Sequence, residues 1–141
     1  MSNYHPRQRD MEAIGKDGCY FLSIIHLAET IRCQPIDAIQ IYHHAVEQEW
    51  MTSDCYIKHP DKLLSYLTSS RWSIRKEGPN YEPKPGEFII LRYERKEGMR
   101  TWAHFVVGDR DQKVIYDPYG QSKTVAMGHL ASMRVFRSLG L

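Results

Sequence analysis

Residues 101–120 read TWAHFVVGDRDQKVIYDPYG, and this stretch decides the class of the fold. It contains two runs rich in β-branched and aromatic residues, at 101–108 and 113–116, with a short polar connection between them. Such runs favour strands, and a short connection with glycine and aspartate favours a hairpin. The stretch therefore predicts two neighbouring antiparallel strands, followed by a turn at 117–120.

The sequence before this hairpin predicts more of the same sheet. Residues 87–93 (EFIILRY) are typical of a strand, and residues 72–75 of a shorter one. The segment 92–100 (RYERKEGMR) is dense in charges of mixed sign, which indicates a solvated loop between strands and not a recognition patch. Residues 122–141 show no clear period, and we expect one or two further short elements there.

The chain before residue 71 has the period of helices. In residues 19–32 apolar side chains surround most of the circumference, which predicts a central, buried helix with residues 17–18 at its start. A second helix is expected from Pro35, with one apolar stripe, and a short third helix from residues 59–61. The sequence therefore predicts an α+β fold, in which an N-terminal helical half packs on a C-terminal antiparallel sheet.

Composition limits what the protein can be. Its 141 residues suit one domain, 1–141, and 42% hydrophobic with 26% charged residues are typical of a soluble globular chain. A formal net charge of +2 argues against nucleic acid or an anionic membrane as the main partner. No apolar run reaches the ~18 residues of a membrane span, and the polar start lacks the apolar core of a secretion signal. We therefore expect a cytoplasmic protein with reduced cysteines.

Three residues of the predicted elements could carry chemistry together. Cys19 stands at the start of the buried helix, where the helix dipole and free N–H groups favour a thiolate. His104 lies inside an apolar strand and Asp117 ends the next strand. In an antiparallel hairpin the residue numbers of paired residues have a constant sum, here about 221. Since 104 and 117 add up to 221, His104 and Asp117 should lie side by side. Each alone is more often structural, but together they match a nucleophile, a base and an orienting carboxylate. We expect Trp102 and Tyr119 to shield the pair from water.

Two other groupings raise the question of a metal site. Cys55 and His59 are four residues apart, and His43 and His44 are adjacent. Neither spacing fits a closed tetrahedral site, because a second cysteine pair is missing and adjacent histidines diverge on a helix. We therefore predict no metal, and ordinary thiols at Cys33 and Cys55.

Four short motifs resemble the papain-like cysteine peptidase superfamily, and within it the C39-like branch of bacterial and phage peptidases. They are residues 8–10 (QRD), 18–19 (GC), 104–107 (HFVV) and 116–120 (YDPYG), and the stretch 35–67 is similar to the helical insert of that branch. Residues 12–14 and 18–23 also resemble an uncharacterised group of spirochaete proteins.

The resemblance implies a papain-like fold and a cysteine hydrolase without a cofactor. Such an enzyme would cleave a peptide or amide bond of a peptide or protein substrate through a thioester. Cys19, His104 and Asp117 would form the catalytic triad, and Gln8 would donate to the oxyanion. Gln8 lies eleven residues before Cys19, and Ala13, six before it, cannot donate through its side chain.

Other functions stay open at this point. The chain could be a non-catalytic binding or inhibitor protein on a papain-like scaffold, encoded by a phage, a plasmid or another mobile element. It could also use the same thiol as an acyltransferase or a peptidoglycan amidase. The substitution Cys19→Ala separates catalysis from binding, since only a catalytic role requires the thiol.

Overall fold

The computed structural model describes residues 12–15 and 17–140, which combine helices with an antiparallel sheet. The helices are α1 (Cys19–Arg32), α2 (Ala38–Glu47), α3 (Pro60–Thr68) and α4 (Lys123–Met127). The strands are β1 (Arg71–Glu77), β2 (Glu87–Glu97), β3 (Arg100–Gly108), β4 (Val114–Tyr116) and β5 (His129–Gly140). The five strands form one sheet in the order β1-β5-β2-β3-β4. The predicted α+β class is confirmed. None of the helices in the described ranges has the length and apolar character needed to cross a membrane.

Helix α1 lies at the centre of the molecule, as the sequence predicts. Phe21 and Ile24 are fully buried, in a core that also contains Ile90 of the sheet. Ser23 is buried as well, and its hydroxyl donates to the carbonyl oxygen of Phe105 on β3 at 3.4 Å. Apolar burial around the helix and this hydrogen bond hold α1 against β3.

A break at Gly18 determines where α1 begins. Residues 12–15 and 17 are helical, Gly18 has φ −95° and ψ 18°, and α1 starts at Cys19. The N–H of Gly18 donates to the carbonyl oxygen of Ile14 at 2.8 Å, and a Cβ on Gly18 would lie 2.3 Å from that oxygen. Because only glycine fits so close to the preceding turn, Gly18 lets Cys19 begin a new helix.

The second helix begins later than predicted. α2 starts at Ala38, since the carboxylate of Asp37 caps it by accepting two first-turn N–H groups, at 3.0 Å and 3.3 Å. Pro35 lies before this cap, in the connection from α1. The side chain of Asp37 satisfies N–H groups at the start of α2. A helix that started at Pro35 would leave its first N–H groups without a side-chain cap. The third helix begins as predicted, with Pro60 in its first turn.

The charged segment 92–100 belongs to a β-hairpin, so the predicted loop is wrong. β2 runs to Glu97 and β3 begins at Arg100, and these two residues pair across the turn. Gly98 has φ 63°, a left-handed conformation that favours glycine. Residues two apart share a face of a strand, and there Arg95 forms an ion pair with Glu97. The mixed charges therefore belong to a paired ribbon.

Strand β5 is the main departure from the expected fold. The short elements expected in residues 122–141 are the five-residue helix α4 and a 12-residue strand between β1 and β2. Met133, Val135 and Phe136 are fully buried on this strand. Arg134 interrupts the apolar run among them, so the sequence has neither a continuous apolar run nor a clean alternation.

Apolar side chains cover both faces of the sheet. On one face Ile90 and Val107 join the core built around α1. On the other face Leu91 and Val106 belong to a second core, against which Val125 of α4 packs. This double coverage holds β3 in the interior, and β3 carries the candidate histidine.

Candidate active site

His104 and Asp117 form a buried pair. His104 lies on β3 and Asp117 directly follows β4, and His104 Nε2 is 2.7 Å from Asp117 Oδ1. The two side chains are 3% and 6% exposed, so water hardly screens the contact. Each buried polar group thus has the other as its hydrogen-bond partner.

The pair forms through a turn and not through the register that the sequence predicts. Val107 pairs with Tyr116 and β4 ends there, so the predicted ladder pairing of His104 with Asp117 is wrong. Asp117 instead begins a turn, in which its Oδ1 also accepts the N–H of Tyr119 at 2.8 Å. The turn fixes the carboxylate, and the carboxylate reaches the imidazole from beyond the end of the strand.

Cys19 lies close enough to His104 to act on it, since hydrogen bonding and charge from Cys19 are among the causes that raise the pKa of His104. Since Nε2 of the ring faces Asp117, Nδ1 is the nitrogen left for the thiol. Cys19 is partly buried at the first position of α1. The described structure therefore brings together the thiol, the imidazole and the carboxylate that the sequence singles out.

The contacts of His104 determine its charge. Burial lowers the pKa of His104, but hydrogen bonds and charges from Cys19 and Asp117 outweigh burial and raise it above the ordinary value of 6.5. The imidazolium therefore persists at a higher pH than in an exposed histidine.

Of the two expected shields, Tyr119 covers the pair. Its ring stacks on the imidazole of His104, with centroids 4.5 Å apart and planes inclined by 21°. Burial raises the pKa of Tyr119, which keeps the phenol neutral. Trp102 is 38% exposed, and Arg95 and Arg100 lie over its ring. The shielding expected of Trp102 stays a prediction.

Cys19 opens onto a cleft of about 420 Å³. The cleft is lined by Asp17, Cys19, Tyr20, Cys55, Tyr56, Ile57, Pro60, Ile74, Arg75, Lys76, Phe105 and Arg134. Tyr20 stacks on Phe105, with centroids 4.5 Å apart, and forms an aromatic wall. The sequence pattern singles out neither this wall nor Arg134. Tyr20 has the signal of standing next to Cys19, whereas Arg134 has none, because the pattern of residues 122–141 does not predict β5.

A family model covers nearly the whole chain, with residues 4–138 matched. The chain belongs to the DUF261 family. The proteins of that family are described as having unknown function, so membership by itself assigns no activity. No curated protein and no solved structure matches the chain. The residues matched to the DUF261 model include Cys19, His104 and Asp117.

The predicted oxyanion donor of this DUF261 chain, Gln8, lies outside the described residues, as do the neighbouring Arg9 and Asp10. Ala13 is described, and its carbonyl oxygen accepts from the Sγ of Cys55 at 3.8 Å. Near Cys19 the described chain offers the backbone N–H groups of the first turn of α1, which have no acceptor within their own helix.

The two other cysteines differ from Cys19 in their surroundings. Cys33 is exposed and follows the last residue of α1. Cys55 is buried, and burial raises its pKa to about 11, so its thiol stays protonated near neutral pH. Across residues 12–15 and 17–140, no three histidine, cysteine or acidic side chains are grouped so that they could hold a metal ion.

Proposed function

We propose that the protein is a papain-like cysteine hydrolase that cleaves a peptide or amide bond through Cys19, His104 and Asp117. The observation that carries the proposal is the position of His104 between two partners. One buried imidazole is hydrogen-bonded to a carboxylate that a turn fixes in place, and it interacts with a thiol that lines a cleft. This is the arrangement of nucleophile, base and orienting acid in thiol hydrolases.

The order of elements supports the papain-like part of the proposal. The thiol begins a buried helix, the imidazole follows on an antiparallel sheet that packs on this helix, and the carboxylate lies in the turn after β4. Cys19 thus stands at the positive end of α1. We place the reaction in the cytoplasm, because a free thiol persists there.

In the first half of the reaction, His104 takes the proton of Cys19 and the sulfur attacks the carbonyl carbon of the substrate. The electron pair of the C=O bond moves to its oxygen, and N–H groups of the first turn of α1, with Gln8 as the second expected donor, stabilise the oxyanion. When the C=O bond re-forms, the C–N bond breaks. His104 then gives its proton to the leaving amine, and a thioester remains on Cys19.

In the second half, water replaces the amine. His104 takes a proton from water, the oxygen attacks the thioester carbon, and the C–S bond breaks to release a carboxylic acid. The proton returns from His104 to the sulfur, so the thiol is regenerated. Asp117 keeps the imidazole in one orientation throughout, and Tyr119 covers the ring.

Alkylation by iodoacetamide tests the nucleophile. At pH 6 we expect Cys19 to react at least about 10-fold faster than a free thiol of pKa ~8.5, because His104 lies beside it to accept its proton. His104→Gln should remove this advantage. Peptide mass spectrometry reads each cysteine separately, and the exposed Cys33 of the same molecule serves as the internal reference. A Cys19 that reacts no faster than Cys33 would overturn the proposal.

Hydrolysis of a mixed peptide library tests the reaction itself. Cys19→Ala should abolish cleavage, whereas the matched variant Cys33→Ala should cleave as the wild type does. Circular dichroism shows whether both variants fold. Cleavage that survives Cys19→Ala would exclude Cys19 as the nucleophile. If the variant still had the effect of the wild type in the cell, a binding role would be favoured instead.

A further inference from the structure

Arg134 places a cation in the wall of the cleft that holds Cys19. It lies on the inner strand β5, opposite Lys76 of the edge strand β1, and it is partly buried. Its guanidinium lies 5.4 Å from the ring centroid of Phe105, and its Nη1 donates to Ser132 Oγ at 3.0 Å. These contacts fix the side chain and leave most of its five N–H donors available.

Arg134 differs from the neighbouring arginines in its partners. Among residues 12–15 and 17–140, no carboxylate forms an ion pair with it. Arg75, which lines the same cleft, bonds Glu77 and Glu87 instead. Burial lowers the pKa of Arg134, which shows that its surroundings disfavour the charge. A partly buried cation without a carboxylate has unused capacity for an anionic ligand.

The other charges of the cleft are more exposed. Lys76 is exposed beside Arg134, and it adds a second positive charge to the wall formed by the sheet. Asp17 is the acidic residue of the cleft, and it is exposed next to the start of α1. The more buried charge is therefore the cation, which favours an anionic group on that side of the cleft.

We propose that this cleft binds a carboxylate of the substrate through Arg134. The group is either the side chain of an acidic residue or a C-terminal carboxylate, next to the bond that Cys19 attacks. A guanidinium matches a carboxylate with two parallel N–H···O bonds. The volume of about 420 Å³ lies within the range of small-ligand sites, and the aromatic wall of Tyr20 and Phe105 contacts the apolar part of the substrate. The substrate assignment rests on the proposed function, but the binding of a carboxylate does not.

Protection of Cys19 from iodoacetamide tests the carboxylate site with three matched probes. N-acetylglutamate α-amide carries only a side-chain carboxylate, N-acetylglutamine carries only a C-terminal carboxylate, and N-acetylglutamine amide is neutral. We expect one of the two acids to protect Cys19 at a concentration at least about 10-fold below that of the neutral amide. An Arg–carboxylate pair supplies a gain in affinity of this size. The acid that protects identifies the source of the carboxylate.

Two arginine variants locate the effect. In Arg134→Met the acid should lose its advantage over the neutral amide, measured as the ratio of protecting concentrations within that variant. Arg92→Met is the matched control, because Arg92 also lies over Phe105, at 6.0 Å, but pairs with Glu94. Equal protection by all three probes, or an advantage that survives Arg134→Met, would overturn the carboxylate site.

Direct binding keeps this test independent of the proposed reaction. In Cys19→Ala, which cannot react, titration with the protecting acid should shift the NMR signal of the Arg134 Nε–H, while the neutral amide leaves it in place. A shift together with slow alkylation of Cys19 in the wild type would retain the carboxylate site and reject the hydrolase. Fast alkylation of Cys19 without a shift of the Arg134 signal would retain the hydrolase and reject the carboxylate site.

Discussion

The charge of Asp117 acts on Cys19 through His104. Asp117→Asn keeps an oxygen for the hydrogen bond but removes the charge that raises the pKa of His104. The pKa of His104 should therefore fall, which an NMR titration of the imidazole measures. Because a histidine of lower pKa is a weaker base for the thiol, alkylation of Cys19 should slow by about 10-fold or more.

The same shift makes a stability prediction with a definite sign. Because the folded-state pKa of His104 lies above 6.5, its contribution to the free energy of unfolding is complete below pH 6.5 and is lost as the pH rises through the folded-state pKa. In Asp117→Asn that loss should occur at lower pH. The exchange Asp111→Asn, at an exposed residue, is the matched control. Unchanged titration of His104 in Asp117→Asn would contradict the electrostatic coupling.

The sequence predicts the pair of His104 and Asp117 but does not predict the part of the site that Arg134 forms. The pair of His104 and Asp117 could be found because a hairpin brings a strand and the turn after it together, even though the assumed register was wrong. Arg134 could not be found, since a charged residue inside a strand has the pattern of a surface position. Its role depends on the neighbouring strands, and these contacts are not local in sequence.

At the scale of elements, the break before α1 positions the thiol. Gly18→Ala should place a methyl group 2.3 Å from the carbonyl oxygen of Ile14, which forces the two helical segments apart. We expect a loss of about 1–3 kcal/mol in the free energy of unfolding and slower alkylation of Cys19. Gly15→Ala is the matched control. Its Cβ meets nothing within 4 Å in a helical segment, so it should be neutral or stabilising by up to about 1 kcal/mol.

Denaturant unfolding and the alkylation rate together measure this effect. If Gly18→Ala were as stable and as reactive as Gly15→Ala, the close approach to Ile14 would not determine the position of Cys19. A loss of stability with normal reactivity would show that the break serves folding alone.

Elements with a local cause were predictable, and those with a distant cause were not. α1 follows from its own apolar periodicity, so its bounds are those that the sequence predicts. β5 depends on β1 and β2, which pair with its two edges and bury Val135 and Phe136. The hairpin at 92–100 likewise depends on the pairing of β2 with β3, because its charged residues do not favour strands on their own.

At the scale of the whole molecule, the site joins parts that are far apart in the chain. Cys19 comes from helix α1, His104 from an inner strand and Asp117 from the turn after an edge strand. His104 therefore depends on β2, which pairs with β3 and links it to β5 and the rest of the sheet. The carboxylate site depends on β5 through Arg134.

Native-state hydrogen exchange tests this dependence without any substitution. The amides of 133–136 on the inner strand β5 should exchange only on global unfolding, whereas those of the three-residue edge strand β4 should exchange by local opening. Opening of β4 would carry Asp117 away from His104, so the N–H of Tyr119, which Asp117 holds at 2.8 Å, should exchange with β4. Fast exchange along β5 would contradict its place as an inner strand paired on both edges. Protection of the Tyr119 N–H equal to that of β5 would instead mean that the histidine and its carboxylate separate only when the whole protein unfolds.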